Sequence, residues 1–462
     1  MRFWWIVSCI VLSGCVAYQP KPLDVTGLAA RFDTRSLSDP ALRTYMERES
    51  GQAAIWPAAR WDRPMLTLAA GFYSPALAVA RAQQQATQGA IQTSRARPNP
   101  TLEFPFEYEL NHHGEGKPYT TGPALTWTIE TGGKRAARMD QAAASADAAR
   151  LNLLDAAWKV RSQVRAALLA VFAQMRRSGL LADKVAFLER SVELLDHRLL
   201  AGTIALSDVR RARMQLAQAQ SEQAAAQVAL ADARTRLASA IGLPVAALAT
   251  VQFDFTEFEH AFVVPASTDA RRAAILQRAD LHAALAEYEA GQAALRQEIA
   301  RQYPDFQLGA GYTYDVGANK ISFGLAGVQL PVFDKNRGAI AQAEARRTEL
   351  AARAEVLQAS IVNELDNGLA RYRGSTGEFE RAARQAALAA RQRDSVNASF
   401  SLGSSDRLEL IQARIDYQSF ALDYLNAVVA LQEAAGLLED AMQRSLPAAP
   451  ATLQINPSPS AP

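Results

Sequence analysis

Residues 306–315 read Phe-Gln-Leu-Gly-Ala-Gly-Tyr-Thr-Tyr-Asp and alternate apolar side chains with polar or small ones. A period of two residues places one set of side chains on one face of a β-strand, so the pattern predicts a strand with an apolar face. Residues of about 320–332 continue the pattern with Ile321, Phe323 and Leu325. Each run has roughly the ten residues that cross a bilayer as a tilted strand. We therefore predict a pair of membrane-length strands.

Two similar runs occur in the first half of the chain, at about 101–111 and 122–131. Their apolar faces are rich in aromatic residues, which is typical of membrane barrels with interfacial girdles. The alternative is a soluble antiparallel sheet that packs on helices. Pro105 lies inside the first run and removes a backbone donor, so we expect a kink or a poorly paired position there.

Long helical patterns follow each pair of strands, with apolar side chains at steps of three and four residues. The ranges are 134–200, 204–241, 338–400 and 405–443, and shorter helices are predicted before the strands at 75–97 and 270–302. A helix of about sixty residues would be ~90 Å long at ~1.5 Å per residue. That length favours coiled-coil packing or a helical tube over a globular core. Gly179 and the stretch 374–377 are candidate positions for a bend or break.

The chain consists of two similar halves, because Gly202 and Gly403 are 201 residues apart, as are Asp208 and Glu409. Self-similarity at a long period indicates a duplicated unit. Each half reads as a helix, two strands and two long helices, so the predicted fold class is mainly α with membrane β. The predicted order is a first repeat at 64–242, a packed connector at 243–266, a second repeat at 267–445 and a disordered tail at 446–462.

The first fifteen residues resemble the signal of a bacterial lipoprotein. Arg2 precedes a short apolar run that ends in Leu12-Ser13-Gly14-Cys15. A charged start, an apolar run and small residues form a secretory signal, whereas a transmembrane helix needs roughly twenty apolar residues. We expect residues 1–14 to be removed and Cys15 to carry the lipid that anchors an irregular segment, 15–63. An ordinary signal peptide with an incidental cysteine is the alternative.

Composition argues against several classes of protein. A formal net charge of +2 over 462 residues argues against a nucleic-acid-binding protein, which needs a clustered excess of basic residues. Two cysteines cannot build a disulfide scaffold, and five histidines leave little for metal catalysis. Since no nucleophile–base or metal-ligand constellation appears either, we expect no enzyme, no cofactor and no metal site.

Four strands cannot close into a membrane barrel, because about eight are the minimum. An open sheet edge is not tolerated in lipid, so one chain needs partner copies. Two copies would supply eight strands and three would supply twelve. An open aqueous lumen requires the larger barrel, which favours three or more copies.

Several short sequence motifs in the chain resemble those of the TolC-type outer-membrane efflux channels. They are Arg97-Pro98-Asn99-Pro100 before the first strand, Pro331-Val332-Phe333-Asp334-Lys335-Asn336-Arg337-Gly338 after the last, Gly202 with Asp208-Val209, and Gly403 with Glu409-Leu410. Two others, Leu66-Thr67-Leu68-Ala69-Ala70 and Ile129-Glu130-Thr131-Gly132-Gly133-Lys134-Arg135, resemble the lipoprotein branch that serves metal and drug exporters.

The resemblance implies a homotrimer in the outer membrane of a Gram-negative bacterium. Its twelve-stranded β-barrel would continue into a twelve-helix α-barrel in the periplasm, with a belt of smaller elements around the middle. The resemblance also implies three kinds of partner, namely outer-membrane lipid, a periplasmic adaptor and an inner-membrane transporter of the resistance-nodulation-division type. Such a channel is a passive conduit that exports small solutes, either drugs or metal ions.

The candidate site is the pair of helix turns, where glycine can take a positive φ at Gly202 and Gly403. By resemblance, the second turn carries an acidic periplasmic aperture, with Glu409 and Gln412 at the ring positions. Asp406 lies near the second turn in sequence, and Asp208 follows the first turn; both are further candidate aperture residues. Rings of carboxylates are typical of cation-selective pores. The family often has an acid where this chain has Gln412, and Glu409 could instead be a solvated helix-start residue.

Two further groups of residues have open interpretations. Arg210 and Arg211 lie beside the first turn and could contact the adaptor, although a solvated helix face is equally compatible with them. His112 and His113 lie among glutamates in the loop between the first two strands, where a plain extracellular loop is favoured over a metal site because the ligand spacing is undefined.

Two competing functions remain at this point. One is an outer-membrane channel for type I polypeptide secretion, which would use the same conduit. The other is a periplasmic coiled-coil scaffold lipoprotein without a pore, which the four membrane-length strands argue against.

Overall fold

The computed structural model describes residues 16–51, 53, 56–264 and 266–452. The helices are α1 Val25–Asp33, α2 Pro40–Ser50, α3 Arg63–Tyr73, α4 Pro75–Arg95, α5 Lys134–Leu200, α6 Leu206–Ile241, α7 Ser267–Gln277, α8 Ala279–Ala300, α9 Arg337–Ser401 and α10 Arg407–Met442. The strands are β1 Thr101–Glu103, β2 Phe106–Tyr108, β3 Tyr119–Thr121, β4 Ala124–Ile129, β5 His260–Phe262, β6 Phe306–Asp315, β7 Ala318–Val328 and β8 Ala448–Thr452. The predicted signal at 1–14 and Cys15 lie outside the described residues.

The predicted membrane strands form one antiparallel sheet. Strands β1 and β2 pair with β4 and β3, which both pair with β6, and β6 pairs with β7. The register places Leu102 opposite Leu125, Leu125 opposite Ala310, and Ala310 opposite Phe323. Because directly opposite residues share a face, a single apolar face runs across the whole sheet. That face is not covered within the chain, since Leu102 is 56% and Phe323 is 77% exposed.

The first two strand runs are broken where one continuous strand each was predicted. Pro105 separates β1 from β2, and it has no N–H to donate to the ladder. Opposite this break, Gly122 and Pro123 separate β3 from β4. Thr121 Oγ1 donates to the Pro105 carbonyl at 3.0 Å, which gives that carbonyl a partner outside the ladder. The expected kink is therefore confirmed, and it affects both strands of the pair.

Gly179 and the stretch 374–377 were candidate positions for a bend or break, and a break is wrong at both because α5 and α9 are continuous there. Just before the stretch 374–377, Tyr372 is buried and its hydroxyl donates to the Phe262 carbonyl at 3.0 Å. The Thr376 hydroxyl bonds back to the Tyr372 carbonyl at 2.8 Å without interrupting the helix.

The helix predicted at 270–302 is instead two helices, α7 and α8, that meet at Arg278. The backbone of Arg278 is extended, with φ −68° and ψ 124°. Its buried guanidinium donates to Glu364 Oε2 at 2.7 Å and to the Ala441 carbonyl at 3.1 Å. These bonds to α9 and α10 offset the cost of interrupting the helix.

The N-terminal segment 15–63 was predicted to be irregular, and this is wrong for residues 25–50, where α1 and α2 form. Asp24 and Asp39 cap the two helices through their side-chain oxygens, and Pro40 occupies the first turn of α2. Proline suits this position because its fixed φ is helical and its missing N–H is not needed there. Pro40 therefore begins a helix here instead of excluding one.

The connector packs against the long helices, as predicted. Phe258 is fully buried, and its ring centroid lies 5.7 Å from that of Phe172 in α5. Strand β5 of the connector pairs antiparallel with β8. The tail predicted to be disordered from residue 446 is thus ordered as far as residue 452, because β8 completes this small sheet; residues 453–462 lie outside the described part.

Among the described residues, no single helix is both long and apolar enough to cross a membrane. Helices α3 and α4 together reach that length and composition, but they are bent by 56° relative to each other. The buried residues of α3 belong to the main hydrophobic core, and they are Leu66, Ala69, Ala70 and Tyr73.

Candidate functional site

Helices α5 and α6 form one helix hairpin, and α9 and α10 form the other. The turns that connect the two helices of each hairpin have the same hydrogen-bonding pattern. Gly202 has φ 70° and Gly403 has φ 74°, the left-handed conformation that glycine takes without strain. Thr203 N donates to the Arg198 carbonyl at 3.0 Å, and Ser404 N donates to the Ser399 carbonyl at 3.0 Å. The hydroxyl of each of these residues bonds to the same carbonyl as its own N–H. The predicted 201-residue repeat therefore extends to individual hydrogen bonds.

Asp406 occupies the junction between the two hairpins. Its Oδ1 accepts from Glu409 N at 2.8 Å and so caps the start of α10. Its Oδ2 accepts from Arg198 Nη2 at 2.8 Å, and Arg198 lies at the end of α5. The hydrogen bond from Arg198, together with the backbone bond from Glu409, lowers the pKa of Asp406. Sequence reasoning named Asp406 but not Arg198, because nothing local in the sequence connects residues 208 positions apart.

The two residues predicted for the ring positions of the aperture lie on one exposed face of α10. Glu409 and Gln412 are both exposed, and Ser405 Oγ donates to Glu409 Oε2 at 2.7 Å. Gln412 Nε2 donates to Asp416 Oδ1 at 2.8 Å. Sequence reasoning missed Asp416, although its spacing of seven from Glu409 could have revealed it. An acid therefore stands one turn beyond Gln412, the position at which the chain departs from the family pattern.

The opposite face of α10 is buried and touches the connector. Ile411, Gln418, Leu425, Gln432 and Glu439 are buried at intervals of seven residues. Gln432 Nε2 donates to the Phe258 and His260 carbonyls at 3.1 and 2.9 Å. Residues two positions apart point roughly 200° apart on a helix, so the column through Glu409, Asp416 and Asp423 faces away from the connector. All three of these carboxylates are exposed.

The arginines near the first turn have different environments. Arg211 Nη1 lies 3.8 Å from Asp208 Oδ1, within the first turn of α6. Arg210 is exposed and has no ion pair within the described residues. Arg213 Nη2 lies 2.9 Å from Asp196 Oδ1, which joins α6 to α5 within one hairpin. Asp208 thus pairs locally with Arg211, whereas Asp406 pairs across hairpins.

A buried ionic cluster joins the two halves at the level of the connector. Arg165 of α5 is 3% exposed and Glu439 of α10 is 2% exposed, with Arg165 Nε 3.5 Å from Glu439 Oε2. Both terminal nitrogens of Arg165 donate to the Gln432 carbonyl at 3.0 Å. Burial lowers the pKa of Arg165. Gly436 makes room for this side chain, because a Cβ there would lie 2.3 Å from Arg165 Nη1.

The histidine loop is held together by its own hydrogen bonds. His112 Nδ1 lies 3.2 Å from Glu109 Oε2, and His112 Nε2 lies 3.0 Å from the Gly116 carbonyl. Across the part of the chain that the structure describes, no three histidine, cysteine, aspartate or glutamate side chains are arranged to hold a metal ion. His112 thus has partners from the loop for both ring nitrogens.

The fold and the site together define a class of protein. A six-stranded sheet with an uncovered apolar face continues into two very long helix hairpins, which end in polar turns. The outer membrane efflux protein family matches residues 72–243 and 270–442, which are the two repeats. The chain belongs to this family, and it is an efflux channel protein of the outer membrane. The resemblance and the duplicated fold predicted from sequence are confirmed.

Individual relatives agree with this assignment. The cobalt-zinc-cadmium resistance protein CzcC of Cupriavidus metallidurans is 29% identical over 296 residues, or 62% of this chain and 67% of the relative. The outer membrane protein VceC of Vibrio cholerae has a TM-score of 0.67 at 19% identity, over 84% of this chain and 100% of VceC. The open state of the Neisseria gonorrhoeae MtrE outer membrane channel has a TM-score of 0.65 at 17% identity, over 83% of this chain and 89% of MtrE.

Proposed function

We propose that the chain is one third of a trimeric, passive conduit that carries small solutes or metal ions out of the periplasm and is gated at the helix turns. The exposed acidic face of α10 carries this proposal. Glu409, Gln412 and Asp416 follow one another along this face, opposite the column that contacts the connector. A connector inside a tube would plug it, so it belongs on the outside. The acidic face then lines the lumen.

Unpaired edges argue that several copies complete the structure. Strands β1 and β2 form one edge of the sheet and β7 forms the other, and neither edge is paired by another described strand. Lipid does not tolerate open edges, so each edge needs a neighbouring copy. Three copies would supply twelve strands, with β1–β2 and β3–β4 each counted as one broken strand, and twelve long helices. This number leaves a wider lumen than the eight strands of a dimer.

The gate we propose is the contact between the two hairpins at their turns. Arg198 and Asp406 are the charged pair that crosses from α5 to α10 there. Breaking the pair would free the start of α10, which carries Glu409 and Gln412, to move relative to α5. Asp208 and Arg211, which pair within α6, would leave the gate unaffected.

The proposed partners are a periplasmic adaptor and an inner-membrane transporter of the resistance-nodulation-division type. Gly202 and Gly403 form the exposed turns at which an adaptor could meet the channel, and Arg210 and Arg211 offer charge beside the first turn. The transporter would supply the energy, and we propose no catalytic step for this chain. Acylation of Cys15 would add a lipid anchor to the outer membrane.

Divalent metal ions are the first substrates to test, because the relative CzcC is named for resistance to cobalt, zinc and cadmium. Rings of carboxylates at the aperture would also favour cations. Deletion of the gene should sensitise cells to these metals, and the intact gene should restore resistance. Loss of a secreted polypeptide without metal or drug sensitivity would instead support type I secretion.

Planar bilayer recordings on the purified protein test the conduit directly. We expect discrete conductance steps and cation selectivity in the wild type. Replacing Glu409 with alanine should change the conductance and reduce the cation selectivity, whereas Glu222→Ala on α6 should leave both unchanged. A protein that remains a non-conducting monomer would support the scaffold alternative. Unchanged selectivity in Glu409→Ala would exclude Glu409 from the constriction.

A further inference from the structure

A cavity of about 930 Å³ lies between the connector and the four long helices. Five aromatic rings line it, from Phe172, Phe253, Phe255, Tyr417 and Tyr424. Its volume lies within the range of about 300–1,000 Å³ that is typical of ligand pockets. The cavity is on the connector side of α10 and is therefore separate from the acidic face of the proposed conduit.

Small residues keep the cavity open. Gly179 of α5 lines it, as do four alanines of α9, Ala383, Ala386, Ala387 and Ala390. A Cβ added at Gly179 would meet no atom within 4 Å. Glycine in a helix interior is less stable than alanine, yet the helix continues through Gly179. The space beside Gly179 is thus available to a ligand.

The carboxylates around the cavity already have partners. Glu259 Oε1 accepts from Arg176 at 3.3 Å, and Asp183 Oδ2 accepts from Gln418 at 3.4 Å. Asp254 Oδ1 accepts from the Thr256 N–H and hydroxyl at 2.8 and 2.6 Å. Their negative charges are therefore not directed at an unfilled site.

Among the described residues that line the cavity, Arg234 is the one with a buried polar atom that lacks a hydrogen-bond partner. It is half-buried in α6, and its Nε is buried without a hydrogen-bond partner. Within the described residues, its guanidinium has no ion pair with any carboxylate. A buried donor without a partner costs free energy unless a ligand supplies the acceptor. A cavity with aromatic walls and one such cation fits a flat apolar body that carries a negative group.

We propose that this cavity binds an organic anion with an aromatic body, and that Arg234 pairs with its carboxylate or sulfonate. The aromatic rings contact the apolar body, and the space beside Gly179 admits it. The site goes beyond the proposed conduit and does not depend on it. A ligand here would contact both hairpins at once.

The test is calorimetric titration of the full chain in lipid nanodiscs with 2-naphthalenesulfonate. The uncharged probe 2-naphthalenemethanol has the same ring system and controls for partition into lipid. We expect saturable binding of the sulfonate and at least about tenfold weaker binding of the alcohol, since hydrogen bonds to charged groups are the strong ones. Arg234→Gln should weaken sulfonate binding by a similar factor. Arg236→Gln, which alters an exposed arginine of the same helix, should change it less than twofold.

Gly179→Leu gives an independent test, because its side chain would fill the cavity while favouring the helix. The folded variant, checked by circular dichroism, should lose sulfonate binding. Absence of saturable binding in the wild type, or equal affinity in Arg234→Gln and Arg236→Gln, would overturn the proposal. A folded Gly179→Leu protein that binds like the wild type would do the same. Conductance and binding are measured separately, so the conduit and this site can fail independently.

Discussion

The link between Arg198 and Asp406 should hold the proposed gate closed. The two side chains are 40% and 54% exposed, so their 2.8 Å contact is that of a surface salt bridge. Such pairs contribute about 0–1 kcal/mol, and we take ~0.5 kcal/mol for each. Three copies in the proposed trimer would contribute ~1.5 kcal/mol to the closed state. We therefore expect Arg198→Gln to raise the ratio of open to closed channels about tenfold.

Single-channel recording in planar bilayers measures this ratio directly. Asp406→Asn should have a similar effect, because asparagine removes the charge but still caps α10. The double variant should open no more than either single variant, since both remove the same contact. Arg213→Gln is the matched control, because Arg213 pairs with Asp196 inside one hairpin. Equal opening in Arg198→Gln and Arg213→Gln, or no change in Arg198→Gln, would refute the assignment.

Salt and pH give two further readouts of the same link. At about 1 M salt the screening length is roughly 3 Å, so the wild type should open more often while Arg198→Gln changes little. The hydrogen bond from Arg198 holds the pKa of Asp406 below its usual 3.8. A lowered carboxylate pKa means that the link is present at neutral pH and is lost as the pH falls through that lowered value. Opening should therefore be constant at neutral pH and rise only in strong acid.

The remaining predictions concern stability and lipid attachment. Gly436→Ala should lower the free energy of unfolding by about 1–3 kcal/mol, because the new Cβ would clash with the buried Arg165; Gly374→Ala is the control and should be neutral or stabilising by up to about 1 kcal/mol, since it has open space. Thermal unfolding followed by circular dichroism compares the two, and equal shifts would contradict the packing argument. Glu439→Gln should cost about 3–5 kcal/mol by leaving the charge of Arg165 buried without its partner, and an unchanged melting temperature would show that the Gln432 carbonyl suffices. Cys15→Ser should abolish acylation, seen as loss of the lipid mass in the intact protein, and a wild-type mass without lipid would support the ordinary signal peptide.

Much of the fold could be predicted because its signals are local. Alternation over residues 306–315 predicted a strand with the bounds that β6 has in the structure. Apolar spacing predicted α5 at 134–200, and the repeat of Gly202 at Gly403 identified the duplicated turns. These patterns depend on neighbours a few residues apart, where chain geometry alone determines which side chains share a face.

The errors arose where longer-range contacts outweigh a local signal. Gly179 weakens a helix locally, but packing along the rest of α5 keeps it continuous. Arg278 has no local helix-breaking tendency, yet its bonds to α9 and α10 separate α7 from α8. In the tail, β8 forms because β5 offers it a free edge, although the prolines and alanines there suggested disorder.

Residue spacing was therefore sufficient for the two repeats and the turns that bear the candidate site, whereas the class of protein was predicted from the resemblance to a family. The pairing of Arg198 with Asp406, the register that joins Leu125 to Ala310, and the cluster of Arg165 with Glu439 came only from the folded arrangement. Each of these contacts joins the first half of the chain to the second. Which residues meet there depends on how two long helices or two strands are aligned over their length, and a spacing pattern within either half carries no information about that alignment.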